Sequence, residues 1–146
     1  MRTHAAAAAL LPVLLLVAGC GGELSQKELV AKADAICTRV NKQVAKLPDP
    51  KTTKDLEGLA ERTVKISDPA LDDMADLKPP SKLEDDFKKF VAILRKQRDL
   101  TKEIGEAAGK DDTAAIQKVG AKAQKAQDEY RRLTGKIGFK ECGGGV

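Results

Sequence analysis

Ser25-Gln26-Lys27-Glu28-Leu29 opens the part of the chain whose reading decides the fold. A serine followed three residues later by glutamate is the reciprocal capping pair of a helix start, and Leu24 and Leu29 flank it as a hydrophobic staple would. Beyond it Leu29, Ala33, Ile36, Val40, Val44 and Leu47 recur at spacings of three and four, the period of an amphipathic helix. Pro48-Asp49-Pro50 ends that run.

The same logic extends outward. Thr52 or Thr53 caps a second helix with Leu56, Leu59, Thr63, Ile66, Ala70, Met74 and Leu77 on one side. Ser67-Asp68-Pro69 interrupts it, so a kink at Pro69 or a break capped by Ser67 or Asp68 is expected. Ser81-Lys82-Leu83-Glu84 repeats the capping pattern and predicts the start of the longest helix, running to about Ala108 with Leu83, Phe87, Phe90, Val91, Leu94 and Ile104 inward. Gly109-Lys110-Asp111-Asp112 predicts a tight turn into a fourth helix. That helix carries Ile116, Val119, Ala123, Ala126, Tyr130 and Leu133 and is expected to stop at Gly135. No stretch alternates as a strand does. Four helices with short connections predict an all-α, up-down-up-down four-helix bundle over residues 25–142. With Phe87, Phe90, Tyr130 and Phe139 as its whole aromatic complement, the core is aliphatic.

Upstream, Arg2 and the apolar run from Ala5 to Ala18 have the shape of a secretory leader, too short and Ala-rich for a spanning helix. Val17-Ala18-Gly19-Cys20 resembles the lipobox of bacterial lipoproteins. That resemblance implies diacylglycerol transfer to the Cys20 sulfur, cleavage of residues 1–19, acylation of the new amine, and residence on the extracytoplasmic face of the cell membrane. The competing reading is an ordinary leader with an incidental cysteine. Residues 20–24 then form a tether of little more than ~10 Å, which holds the domain against the bilayer. Residues 143–146 are a Gly-rich tail.

His4 is the one histidine and leaves with the leader. The remaining chain has no imidazole for a nucleophile–base pair or for zinc, copper or haem, and no cofactor is expected. Basic and acidic side chains alternate along the helices, giving +4 for the whole chain without the concentrated, aromatic-laced patch that nucleic acid would need. The acid clusters Asp72, Asp73, Asp76 and Glu84, Asp85, Asp86 lack the glycine turn and alternating ligands of a calcium loop, and Ser25 and Ser81 have no base beside them. Metal binding and catalysis are therefore not expected.

With Cys20 used by the anchor, Cys37 and Cys142 remain as an even pair in an oxidising compartment, and a disulfide is expected. It would close a loop of about 105 residues, worth ~4–5 kcal/mol by chain entropy. In the bundle Cys37 lies ~18 Å above the end where the fourth helix finishes. Residues 136–142 reach ~23–25 Å when extended, so the tail can turn at Gly135 or Gly138 and climb helix one, with Ile137 and Phe139 packing on the way.

Ala33-Asp34-Ala35-Ile36-Cys37 with Asn41, then Leu77-Lys78-Pro79-Pro80, then Gly138-Phe139-Lys140-Glu141-Cys142-Gly143 resembles uncharacterised helical lipoproteins and secreted proteins of high-GC Gram-positive bacteria. The similarity spans Leu24 to Cys142 through short motifs, and it implies no particular activity.

One irregularity bears on function. Gln97 and Thr101 fall on the apolar stripe of helix three with Arg98 at its border, facing Gln124, Gln127 and Tyr130 of helix four. They are either rim positions facing water or a polar layer lining an interhelical pocket. Two functions follow. One is a membrane-anchored accessory module that offers a helical face to an envelope protein. The alternative is a carrier of a small ligand or lipid, with Gln97, Arg98, Thr101, Gln127 and Tyr130 as its site.

Overall fold

The structure, a computed structural model, describes residues 22–143. The leader, Cys20 and the last three residues lie outside them, so the expectations placed on those segments do too. Four α-helices form the bundle: α1 (Gln26–Val44), α2 (Thr53–Ala75), α3 (Glu84–Gly109) and α4 (Thr113–Ile137). Among the described residues there is no strand, and no helix is long and apolar enough to cross a membrane.

The up-down-up-down order is visible in contacts between ends. Leu24 N–H donates to the Lys78 carbonyl at 2.9 Å, bringing the end of α2 to the start of α1. Gln26 Nε2 donates to the Ile137 carbonyl at 3.0 Å, bringing the end of α4 there as well. Lys136 meets Asp86 of early α3 at 2.8 Å. At the opposite end Thr53 donates to Asp111 in the α3–α4 turn.

The first two helix starts are as the sequence predicts. Ser25 and Glu28 form the reciprocal cap of α1, and Thr52 with Asp55 does the same for α2. Hydrogen bonds from Ser25 hold the Glu28 carboxyl below the usual carboxylate range, and those from Thr52 and Lys51 do so for Asp55. Asp112 caps α4 through Ala115 N–H at 2.9 Å.

Two expectations are corrected, for Ser81 and Gly135, and one alternative at Pro69 is removed. Ser81 does not cap α3: residues Ser81–Leu83 form a single 3₁₀ turn after Pro79-Pro80, and α3 begins at Glu84 with Leu83 as an uncapped N-cap. The Ser81 hydroxyl instead donates to Glu23 Oε1 at 2.6 Å, tying the residue ahead of Leu24 to the bundle. Pro69 does not break α2. It lies on an exposed flank where solvent can meet the carbonyl left without a donor, and Ser67 turns back to donate to the Thr63 carbonyl at 2.8 Å. Finally, α4 passes through Gly135 and stops at Gly138, whose φ of 93° supplies the left-handed cap.

The core runs through all four helices. Phe90 is fully buried at its centre, with ring centroids of Phe139, Tyr130 and Phe87 at 4.9, 5.6 and 6.1 Å. Leu29, Met74, Leu133 and Ile137 are buried around it. Ile93, Leu100, Ala60 and Ala107 are also buried, beyond the stripes expected, because the wide contact of α3 with both neighbours buries more than one row. Backbones approach closely between α2 and α3 and between α3 and α4, while α1 leans on α2 less closely.

Candidate functional site

The tail after α4 fills the side of the bundle where α1 stands off. Cys37 and Cys142 are joined, with Cα atoms 5.1 Å apart, so the expected disulfide is present. Phe139 packs under it and is buried. Asp34, one turn below Cys37, turns its carboxylate toward the tail and accepts N–H groups from Lys140 at 3.1 Å, Glu141 at 3.0 Å and Cys142 at 3.2 Å. Three donors on one buried carboxylate compensate its burial, as a charge-assisted set must. The Tyr130 hydroxyl donates to the Cys142 carbonyl. Burial, followed by the nearby charge of Asp34, pushes the Tyr130 phenol up to about 12.

Where α1, α2 and α3 meet beside this tail, a cavity of about 190 Å³ remains. Ile36, Val40, Ala70, Leu71, Met74 and Leu94 make its apolar wall, and Cys37 and Tyr130 close the side nearest the tail. The polar layer expected from helix three lies here: Gln97, Arg98 and Thr101 all line the cavity with Tyr130. Gln127 does not. Its Oε1 accepts from Gln97 Nε2 at 2.9 Å, so it acts behind the wall, orienting Gln97. Gln124 turns instead toward Asp128 at 3.5 Å, because its position on α4 faces outward.

Sequence reasoning missed Asn41 and Ser67, which also line the cavity, and Asp34, which holds the tail. Asn41 and Ser67 sit on the flanks of their helices, where periodicity gives no signal. Asp34 is an acid between two alanines, three residues before Cys37, and nothing local in the sequence marks it as the tail's acceptor.

The polar groups divide by what already occupies them. Thr101 donates to the Gln97 carbonyl at 3.0 Å and Ser67 to Thr63, both within their own helices. Arg98 is shared between two carboxylates. Its Nη1 reaches Asp99 Oδ1 at 2.8 Å, and its Nε lies 3.1 Å from Asp68 Oδ1 as an ion pair outside hydrogen-bond geometry. The guanidinium charge is therefore already compensated. The Asn41 amide and Gln97 Oε1 have no protein partner among the described residues, so both are available to a guest.

Other acids expected to be solvated are paired along the surface: Asp73 with Arg39, Glu84 with Lys88 at 2.6 Å, and Asp86 with Lys136. Among the described residues no three His, Cys, Asp or Glu side chains converge on a point where a cation could sit. Comparison with known proteins adds no assignment to this geometry: no family model, no curated protein and no solved structure matches the chain.

Proposed function

We propose that this chain is a lipid-anchored module on the extracytoplasmic face of the cell membrane, held by Cys20, that binds a small, neutral, mostly apolar molecule without transforming it. The observation that carries the reading is the interhelical cavity, where an aliphatic wall converges on the unengaged amide of Asn41 and the free Oε1 of Gln97. Its volume of about 190 Å³ suits a guest near the size of a substituted benzene, since a dry cavity of roughly 150 Å³ holds benzene itself. Sites for drug-sized ligands run to ~300–1,000 Å³, and this one is smaller. Asp68 and Asp99 around Arg98 disfavour an anionic guest. The tether supports the anchored placement, because Glu23 and Leu24 are tied to Ser81 and Lys78 at one end of the bundle.

Benzyl alcohol is a suitable first probe, being neutral, aromatic and able to bond an amide. Titrated into the full chain, it should cause saturable methyl shifts at Leu71 and Leu94 and amide shifts at Asn41 and Gln97. Linear, unsaturable shifts spread over the surface would remove the ligand reading. The anchor is tested separately by labelling cells with a fatty-acid analogue, where Cys20→Ala should abolish incorporation.

A second reading, a face offered to an envelope protein, draws on the groove between the end of α2 and the start of α3. Leu77, Pro79, Phe87 and Val91 line it, with Lys88 and Arg95 at its edge. Capture of a defined envelope protein by the wild type, abolished by Val91→Asp, would favour it.

A further inference from the structure

Two residues of the cavity wall are held by a single residue of the tail. Cys142 is bonded through sulfur to Cys37, and its carbonyl accepts the hydroxyl of Tyr130. Cys37 and Tyr130 together form the cavity wall facing the tail. Cys142 is kept in place by Asp34, which takes the backbone N–H groups of three consecutive residues, and by Phe139, whose ring lies 4.9 Å from that of Phe90. Phe90 in turn stacks on Tyr130 at 5.6 Å. The Tyr130 ring is thus set by Phe90 on its face and by the tail at its hydroxyl.

We propose that residues 138–142 act as a strap that positions the cavity wall, with Asp34 as its holding residue, so that occupancy of the cavity and the Cys37–Cys142 bond are thermodynamically linked. Without the strap, the Tyr130 hydroxyl loses its acceptor in a site largely shielded from water, which is costly for a polar group. The Asn41 and Gln97 amides in the same cavity offer it new partners, so Tyr130 relaxes into the space a guest would use. A guest that needs the open cavity therefore binds the strapped form better, and by reciprocity it protects the disulfide. The identity of the guest rests on the ligand-binding reading above; the dependence of cavity shape on the strap does not.

Methyl spectra of the full chain test this in the oxidised form, after reduction by dithiothreitol, and in Asp34→Asn, which keeps the disulfide. Reduction breaks the S–S bond: two electrons and two protons pass to Cys37 and Cys142, and the dithiol closes to its cyclic disulfide. Xenon reports any open apolar cavity whatever its polar contacts, and benzyl alcohol reports the proposed ligand class. In the oxidised chain both should shift Ile36, Leu71, Met74 and Leu94. Reduction should weaken benzyl alcohol binding about tenfold, saturating benzyl alcohol should shift the equilibrium with dithiothreitol toward the disulfide by a similar factor, and Asp34→Asn should give a smaller loss of binding in the same direction. Unchanged binding of both probes after reduction, with helical circular dichroism intact, overturns the linkage. Should reduction melt the helices, Asp34→Asn decides: probe binding equal to wild type overturns the proposal, and weakened binding supports it. Strap-dependent xenon shifts without any benzyl alcohol binding would keep the strap and discard the ligand reading.

Discussion

The seam between α2 and α3 and the seam between α1 and α4 are closed by opposite means. In the first, a Cβ placed on Gly105 would stand 2.8 Å from the Cβ of Ala60, closer than side chains tolerate, so two small residues bring the backbones together. In the second, α1 stands off and the strap fills the space with Phe139, a disulfide and the hydrogen bonds to Asp34. The first seam carries one charged contact, Arg98 Nε with Asp68 Oδ1 at 3.1 Å, beside its small residues. The second carries buried carboxylate, hydroxyl and carbonyl groups, and the cavity lies beside it. The cavity opens where α1 meets α2 and α3, and the strap reaches it only through Cys37 and Tyr130.

The largest effect expected is on the strapped seam. Replacing Cys37 and Cys142 by serine should lower stability by up to ~4–5 kcal/mol on the chain-entropy account. Thermal melts followed by circular dichroism should show a lower midpoint with helical content before the transition nearly unchanged, because the aliphatic stripes still pack. An equal midpoint would mean that the strap is ornamental to the bundle.

Next is the tight seam. Gly105→Val should cost about 1–3 kcal/mol by overpacking against Ala60, and Ala60→Gly in the same chain should recover part of it. Denaturant midpoints of the single and double variants measure this, and simple additivity would deny the contact.

Tyr130 sharpens the contrast through pH. Its phenol is pushed up to about 12 in the fold, against ~10 for an unperturbed tyrosine. The folded chain therefore holds that proton more tightly than the unfolded one. The associated stability, at most ~2.7 kcal/mol, is fully present below pH ~10 and is lost as pH rises through 12. Tyr130→Phe should be about 1 kcal/mol less stable at pH 8 from loss of its hydrogen bond, and that gap should close and then reverse on going from pH 10 to 12. A gap constant across that range would contradict the buried phenol.

The smallest effect compares two residues that look alike in sequence. Thr52→Ala should cost ~1 kcal/mol as a lost cap, and Ser81→Ala at most a few tenths, since Ser81 caps nothing. Both are within reach of urea titration.

Ser81 shows where local pattern misleads. Its spacing to Glu84 matches that of Ser25 to Glu28, yet Pro79 and Pro80 direct the chain into a 3₁₀ turn, and the nearby Glu23 takes the hydroxyl. Gly135 misled differently. A glycine ends a helix only where a left-handed residue is wanted, and Gly138 already supplies one. Of the site, Gln97, Arg98, Thr101 and Tyr130 were legible because polar side chains on an apolar stripe are conspicuous, while Gln127 proved to be a supporting partner.

The sequence by itself determined four amphipathic helices, the caps of three of them, their antiparallel order and the pairing of Cys37 with Cys142. Each of these depends on residues close in the chain, on short connections, or on counting a reactive pair. Only the tertiary structure decided that Asp34 receives the tail, that Cys142 governs two residues of the cavity wall, and how wide each seam is. The tail's contacts with Asp34 and Cys37 join residues more than a hundred positions apart, and the geometry of all these features is set by how the volumes of three or four elements fill a shared space, which no periodicity along one element encodes.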